Sequence, residues 1–199
     1  MPGDRQQLRR AVMAVAADQA GYFTAAQALQ VGYSYQAQKF HVDHGNWQRV
    51  DRGLFRIPEW PTDDDDSFVR WTVWSRGVAV VSHLSAMAWH QLGDANPDRL
   101  HVTVPKAFRR TDPALVVHRE ELPAADIEDH GNFRITTPLR CVVEVADEGG
   151  DQGLVDGAVA DVMAREQVDA RRIRDAAAVL GPRAELGVER ALAALKERR

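Results

Sequence analysis

Gln36, Gln38 and Lys39 fall within four residues of one another, directly after Ser34 and Tyr35. A glutamine amide sets a donor beside an acceptor and so matches the exposed edge of adenine, while a lysine reaches guanine or a phosphate oxygen. Serine and tyrosine hydroxyls commonly hold phosphates. A second basic set follows at Arg49, Arg52 and Arg56. With Thr24 added, the candidate DNA-contact residues are Thr24, Ser34, Tyr35, Gln36, Gln38, Lys39, Arg49, Arg52 and Arg56. Two of them have a structural alternative: Arg49 and Arg56 could pair with Asp51 or with the four aspartates at 63–66. Asp43 opposes binding wherever it faces DNA, so the far end of the segment is expected to stay off the phosphates.

Other chemistry is thinner. The seven histidines stand at 41, 44, 83, 90, 101, 118 and 130, and none falls in an HExxH pattern. His83 and His90 are seven apart, on one helical face beside Trp89, and read more readily as core or surface histidines than as ligands. Ser85, His83 and Asp94 supply the residue types of a hydrolytic triad, but without the nucleophile-elbow sequence. Neither glycine-rich phosphate-binding signature is present, and Gly149, Gly150 and Gly153 sit among acidic residues. Cys141 is the only cysteine, which excludes an internal disulfide. Its apolar neighbours Val142 and Val143 mark a buried thiol. No catalytic residue, metal ligand or cofactor is assigned.

The contact residues must be held by something. Leu8, Val12, Val15 and Ala16 recur at helical spacing in a first helix over 4–19. Thr24 and Gln27 match a capping box that opens a second helix over 25–30, and Gly32 ends it. Ser34 can cap a third over 35–44, with Ala37, Phe40 and His41 on one face. Two β-prone runs then flank the turn Asp51-Arg52-Gly53, which reads as a hairpin. Three short helices, the last two joined by a tight glycine turn, followed by a hairpin, make the winged helix-turn-helix plan. In that plan the second helix of the motif enters the major groove. It begins at Ser34, and Arg52 lies near the tip of the wing.

Beyond Pro61 the pattern changes. A helix is expected at 68–74 and strands at 78–81, 100–104, 114–118 and 133–135. Ser82 or Ser85 starts a helix reaching Leu92. Thr137 caps another, with Pro138 at the favoured first position. From about residue 150 the chain reads as helical throughout, broken near Val168-Asp169 and Gly181-Pro182. The fold class is therefore α+β, in two domains. Residues 1–60 form the winged helix-turn-helix, and 61–199 form a mixed α/β domain with a helical C-terminal end.

Composition sets outer limits. The chain has 199 residues, 45% hydrophobic, with a net charge of −4, which argues against a broad nucleic-acid coat. Residues 1–60 nevertheless carry seven basic against five acidic side chains, as suits a small reading module attached to an acidic body. No apolar run approaches the roughly 18 residues that span a bilayer, and no signal-peptide core follows the N-terminus. A cytoplasmic protein with no membrane contact is expected. Residues 165–199 hold nine basic and six acidic side chains, a solvated surface with room for a second contact.

Several segments taken together resemble the AbiEi family of antitoxins from type IV toxin–antitoxin systems. They are Gly21-Tyr22-Phe23-Thr24-Ala25-Ala26-Gln27-Ala28, Gly32-Tyr33-Ser34, Gly45-Asn46-Trp47-Gln48-Arg49-Val50 and Arg52-Gly53-Leu54-Phe55-Arg56. Further on come Val81-Ser82-His83-Leu84-Ser85-Ala86, His101-Val102-Thr103-Val104-Pro105 and Thr136-Thr137-Pro138-Leu139-Arg140. The resemblance covers roughly residues 5–145. It implies a winged helix-turn-helix joined to an α/β antitoxin domain. It also implies binding to inverted repeats in the protein's own promoter, repression of the operon, and neutralisation of a nucleotidyltransferase-type toxin. Tyr35, Gln36 and Asp43 depart from the basic recognition helix of the family, which bears on operator identity rather than on fold. A monomer that pairs on DNA is expected. Two other readings stay open. One is a plain winged-helix regulator whose second domain senses a ligand or oligomerises. The other is a nucleic-acid-processing enzyme using His83, His90, Asp94 or His101.

Overall fold

The computed structural model describes residues 2–197, with side chains from Arg5 onward. The chain divides into two compact units, Met1–Ala79 with His130–Phe133, and Val80–Asp129 with Arg134–Arg199.

The first unit opens with helix α1 (Pro2–Ala17), strand β1 (Tyr22–Thr24), α2 (Ala25–Val31) and α3 (Tyr35–Asp43). The hairpin β2 (Gln48–Asp51) and β3 (Leu54–Arg56) and helix α4 (Asp66–Trp74) follow. The capping box forms as the sequence predicts. Thr24 Oγ1 accepts the Gln27 N–H at 3.1 Å, and Gln27 Oε1 accepts the Thr24 N–H at 2.8 Å. Gly32, at φ +115°, ends α2 in the left-handed region that glycine enters without steric cost. Ser34 Oγ then accepts the Ala37 N–H at 3.2 Å and starts α3.

The three strands form one antiparallel sheet in the order β1-β3-β2. Strand β1 adds to the elements expected from the residue patterns. It is three residues long and takes its register from a partner 32 residues on, Phe23 opposite Phe55, so no local pattern announces it. Phe23, Phe55 and Trp47 pack with Val12, Ala16, Ala28 and Tyr33 into the core of this unit. That core buries the apolar faces of α1, α2 and the wing and fixes α3 on the outside.

The domain boundary expected at residue 60 moves to about Ala79. Helix α4 belongs to the first unit because Asp66, its first residue, accepts hydrogen bonds from Arg56 of β3 (2.6 Å) and Tyr22 of β1 (2.5 Å). The segment between leaves little slack. A Cβ on Gly21 would lie 2.5 Å from the Cβ of Trp60.

The second unit contains β4 (Val80–Val81), α5 (His83–Trp89), β5 (Leu100–Val104), β6 (Leu115–Arg119), β7 (Ile127–Asp129) and β8 (Arg134–Thr136). Four helices complete it: α6 (Pro138–Glu148), α7 (Gln152–Arg165), α8 (Ala170–Leu180) and α9 (Pro182–Glu197). Its sheet runs β6-β5-β4-β8-β7, with β5–β6 and β4–β8 parallel and β4–β5 and β7–β8 antiparallel. Helix α6 carries Cys141, Val142, Val143 and Val145, all essentially inaccessible, and packs against α5, α7, α8 and α9. Gly187 of α9 lies so close to Ala146 that an added Cβ would come within 3.1 Å of the alanine Cβ. The architecture is α+β with a helical end, as the residue patterns predict. Strand β7 is a further addition, and α5 stops at Trp89 rather than reaching Leu92.

Candidate nucleic-acid interface and a buried histidine cluster

The exposed side of α3 presents Tyr35, Gln36 and Lys39, with Ser34 immediately before them. Tyr35 is 69% exposed. Because Ser34 Oγ accepts from Ala37, its own hydroxyl proton remains free to donate outward. Lys39 pairs with Asp43 one turn on, both largely in solvent. On the wing, Arg49 and Arg52 are exposed. The Arg49 guanidinium lies 5.8 Å from the centre of the Phe55 ring, and neither arginine has a carboxylate partner among the described residues. Gly53, next to Arg52, accepts the Ala25 N–H at 2.9 Å, which ties the wing tip to the start of α2. Ser34, Tyr35, Gln36, Lys39, Arg49 and Arg52 therefore remain available to a ligand from solvent.

Three members of the expected contact set do not. Gln38 is 3% exposed; its Nε2 donates to the carbonyls of Tyr33 (3.0 Å) and Ala25 (3.1 Å). It pins α3 to α2 instead of reaching a base. Arg56 is 9% exposed. Its Nη2 donates to Asp66, to the Pro61 carbonyl at 3.1 Å and to Thr62 Oγ1 at 3.3 Å, so it realises its structural alternative with a linker aspartate. The Thr24 hydroxyl is spent on the cap, accepting from the Gln27 amide and donating to Gln27 Oε1. His41 is half-buried, stacked on Trp47 at 4.7 Å, while Phe40 of the same expected apolar face is 53% exposed.

In the second unit, three stretches far apart in the chain converge. His83 opens α5, His118 lies on β6 and Glu148 closes α6. The rings of His83 and His118 stack with centroids 3.5 Å apart. Glu148 Oε1 is 3.0 Å from His118 Nδ1 and 3.9 Å from His83 Nε2. The far nitrogens are also engaged: His83 Nδ1 with Ser82 Oγ at 2.9 Å, and His118 Nε2 with His101 Nδ1 at 3.1 Å. Beneath them Glu144, 2% exposed, accepts the His83 N–H at 3.2 Å and the Arg140 Nε–H at 2.8 Å. Arg140 also donates to Glu120 at 2.8 Å.

Burial, helped by the neighbouring His118, pushes His83 down to about 3 and His101 down to about 4. Both are neutral near pH 7, so the approach of His83 to Glu148 is not a salt bridge there. The hydrogen bond from His118 lowers Glu148 and keeps it ionised. Burial raises Glu144, against the opposing pull of Arg140.

The pairing of His83 with His90 does not occur. His90 lies beyond the end of α5, and its Nε2 approaches the Thr136 carbonyl at 2.8 Å. Nor does a triad form on Ser85, whose Oγ accepts the His101 N–H at 2.9 Å. The grouping of His83, His118 and Glu148 escaped sequence reasoning because the packing of α5 on α6 and the pairing of β6 with β5 bring them together. The available signal was indirect: Val81–Ala86, His101–Pro105 and Thr136–Arg140 hold most of the surrounding residues.

Fold and surface together define a winged helix-turn-helix unit whose α3 has an exposed polar face, joined in sequence to a mixed-sheet unit with a helical end. No family model matches the chain, and no curated protein matches it. Among solved structures, the crystal structure of the RV2827C protein from Mycobacterium tuberculosis is similar in fold. The TM-score is 0.61 at 16% identity, over 94% of this chain and 77% of that one. At such identity the likeness is one of fold alone. Among the described residues no helix is long and apolar enough to cross a membrane.

Proposed function

We propose that this protein is a DNA-binding antitoxin that represses its own operon. It reads inverted-repeat promoter DNA with α3 and the wing, and it neutralises a nucleotidyltransferase-type toxin. The observation that carries the DNA half is the exposure of Tyr35, Gln36 and Lys39 on α3, backed by core contacts that hold the helix outward. Gln36 is the base-reading side chain, suited to adenine. Ser34, Tyr35, Lys39, Arg49 and Arg52 hold the backbone, and the chain acts in the cytoplasm as a monomer that pairs on its operator. The antitoxin half is supported by the segments that resemble the AbiEi family, two of which, Val81–Ala86 and Thr136–Arg140, meet at Glu144 in the second unit.

A titration against the upstream promoter, with scrambled DNA as control and at two salt concentrations, tests the first half. Selective binding that weakens steeply with salt is expected, because released counterions drive association. Equal, weak binding to both DNAs would remove the operator-reading role. Co-expression with an adjacent nucleotidyltransferase tests the second. Growth rescue supports the antitoxin reading, and selective DNA binding without rescue leaves a plain winged-helix regulator.

A further inference from the structure

We propose that His83, His118 and Glu148 form a site for one divalent transition-metal ion of the zinc class, in the second unit and sharing no residue with the DNA-reading surface. One ligand atom from each residue lies within 4.8 Å of the other two. Metal bonds of about 2.0–2.2 Å in a tetrahedral arrangement set neighbouring ligand atoms about 3.3–3.5 Å apart. The separations of 3.0 Å and 3.9 Å at Glu148 Oε1 bracket that spacing; because the two rings stack face to face, one imidazole must turn out of the stack for both in-plane lone pairs to meet on the ion. Two imidazoles and one carboxylate are a zinc ligand set that leaves a fourth position open to water. The nitrogen donors favour such an ion over magnesium or calcium, which prefer oxygen ligands.

The outer contacts fit the same reading. A metal-bound histidine nearly always engages its second ring nitrogen in a hydrogen bond that fixes its orientation. Here Ser82 holds the far nitrogen of His83 and His101 holds that of His118, and Glu144 is anchored in turn by Arg140. The backbone of His83 has φ +52°, a left-handed conformation that strains a non-glycine residue and clusters at functional sites. The Glu148 side chain is 41% exposed and that of His118 is 15% exposed, which gives an ion a path from solvent.

The full chain, stripped with chelator, is titrated with zinc by calorimetry, and cobalt is substituted for its visible spectrum. One saturable zinc per chain is expected, with a tetrahedral cobalt spectrum and a raised unfolding temperature. Glu148→Gln and His118→Gln should each weaken zinc binding at least about tenfold, the lower end of what even outer partners cost. Glu148→Gln is isosteric and partly exposed, so it should keep the fold, which circular dichroism checks. It should also bind promoter DNA as the parent does, separating this site from the proposed reading surface. A His41→Asn/His44→Asn variant should retain the zinc. Absence of saturable binding, binding unchanged in folded Glu148→Gln, or loss of binding only in the His41/His44 variant would each overturn the proposal.

Discussion

Lys39 and Asp43 meet one turn apart on the exposed side of α3, and their ion pair offsets the positive charge that this face of the helix carries. An exposed pair at this spacing contributes only about 0.3–0.5 kcal/mol to the fold. A phosphate therefore competes easily for the ammonium, but it also meets the carboxylate. Asp43→Asn should tighten promoter binding without loss of stability. Lys39→Ala should weaken it on all sequences and make the salt slope shallower by about one. A salt titration of both variants decides. If neither changes the affinity, Lys39 does not touch a phosphate.

Gln36 and Gln38 are two residues apart and should behave oppositely. Gln36→Ala is expected to cost about 1–3 kcal/mol at one base pair and relax choice there, with an unchanged melting temperature. Gln38→Ala leaves the Tyr33 and Ala25 carbonyls without their donor, which costs stability by about 1–3 kcal/mol. Binding to permuted operators, alongside thermal unfolding, separates the two. A loss of base preference in Gln38→Ala at unchanged stability would contradict its burial.

Arg56, Asp66 and Tyr22 form one network whose integrity should appear at high pH. Burial first, then the hydrogen bond to Asp66, pushes the Tyr22 phenol up to about 12 from an ordinary 10.0. A raised folded value means that the stability is fully present below pH 10 and is lost as pH rises through about 12. Phenolate absorbance should therefore show one tyrosine ionising late, together with unfolding. Asp66→Asn should move that ionisation part of the way down. Arg56→Ala should destabilise by roughly 3–5 kcal/mol, as when one partner of a buried pair is removed. An Arg56→Ala protein of unchanged stability that had lost DNA affinity would restore Arg56 to the contact set.

Arg140 holds Glu144 under the histidine cluster, both all but inaccessible. Removing Arg140 alone strands a buried carboxylate, so Arg140→Ala should cost about 3–5 kcal/mol in denaturant unfolding. The Arg140→Ala/Glu144→Ala double variant should lose less than the two single losses added together. Simple additivity would mean that the two residues are not coupled.

The local elements were legible. Thr24 with Gln27, Ser34, and Thr137 with Pro138 mark helix starts because their side chains satisfy backbone groups within three residues, and such chemistry is written in consecutive letters. The chemistry-bearing types on α3 were legible for the same reason, since a helix places residues on its wheel by spacing alone. Which of them face solvent was not. Gln36 and Gln38 are alike as letters, and only the approach of α2 to α3 buries one and leaves the other free.

By itself, then, the sequence determined the helix starts, the hairpin turn at Asp51-Arg52-Gly53, the α+β class and the segment that could read DNA. Tertiary structure alone decided that Arg56 belongs to Asp66, that α4 joins the first unit, and that His83, His118 and Glu148 share one spot. Those relationships depend on strand register and helix packing between residues well separated in the chain. They are set by burial of the whole core, of which any short window of sequence carries only a part.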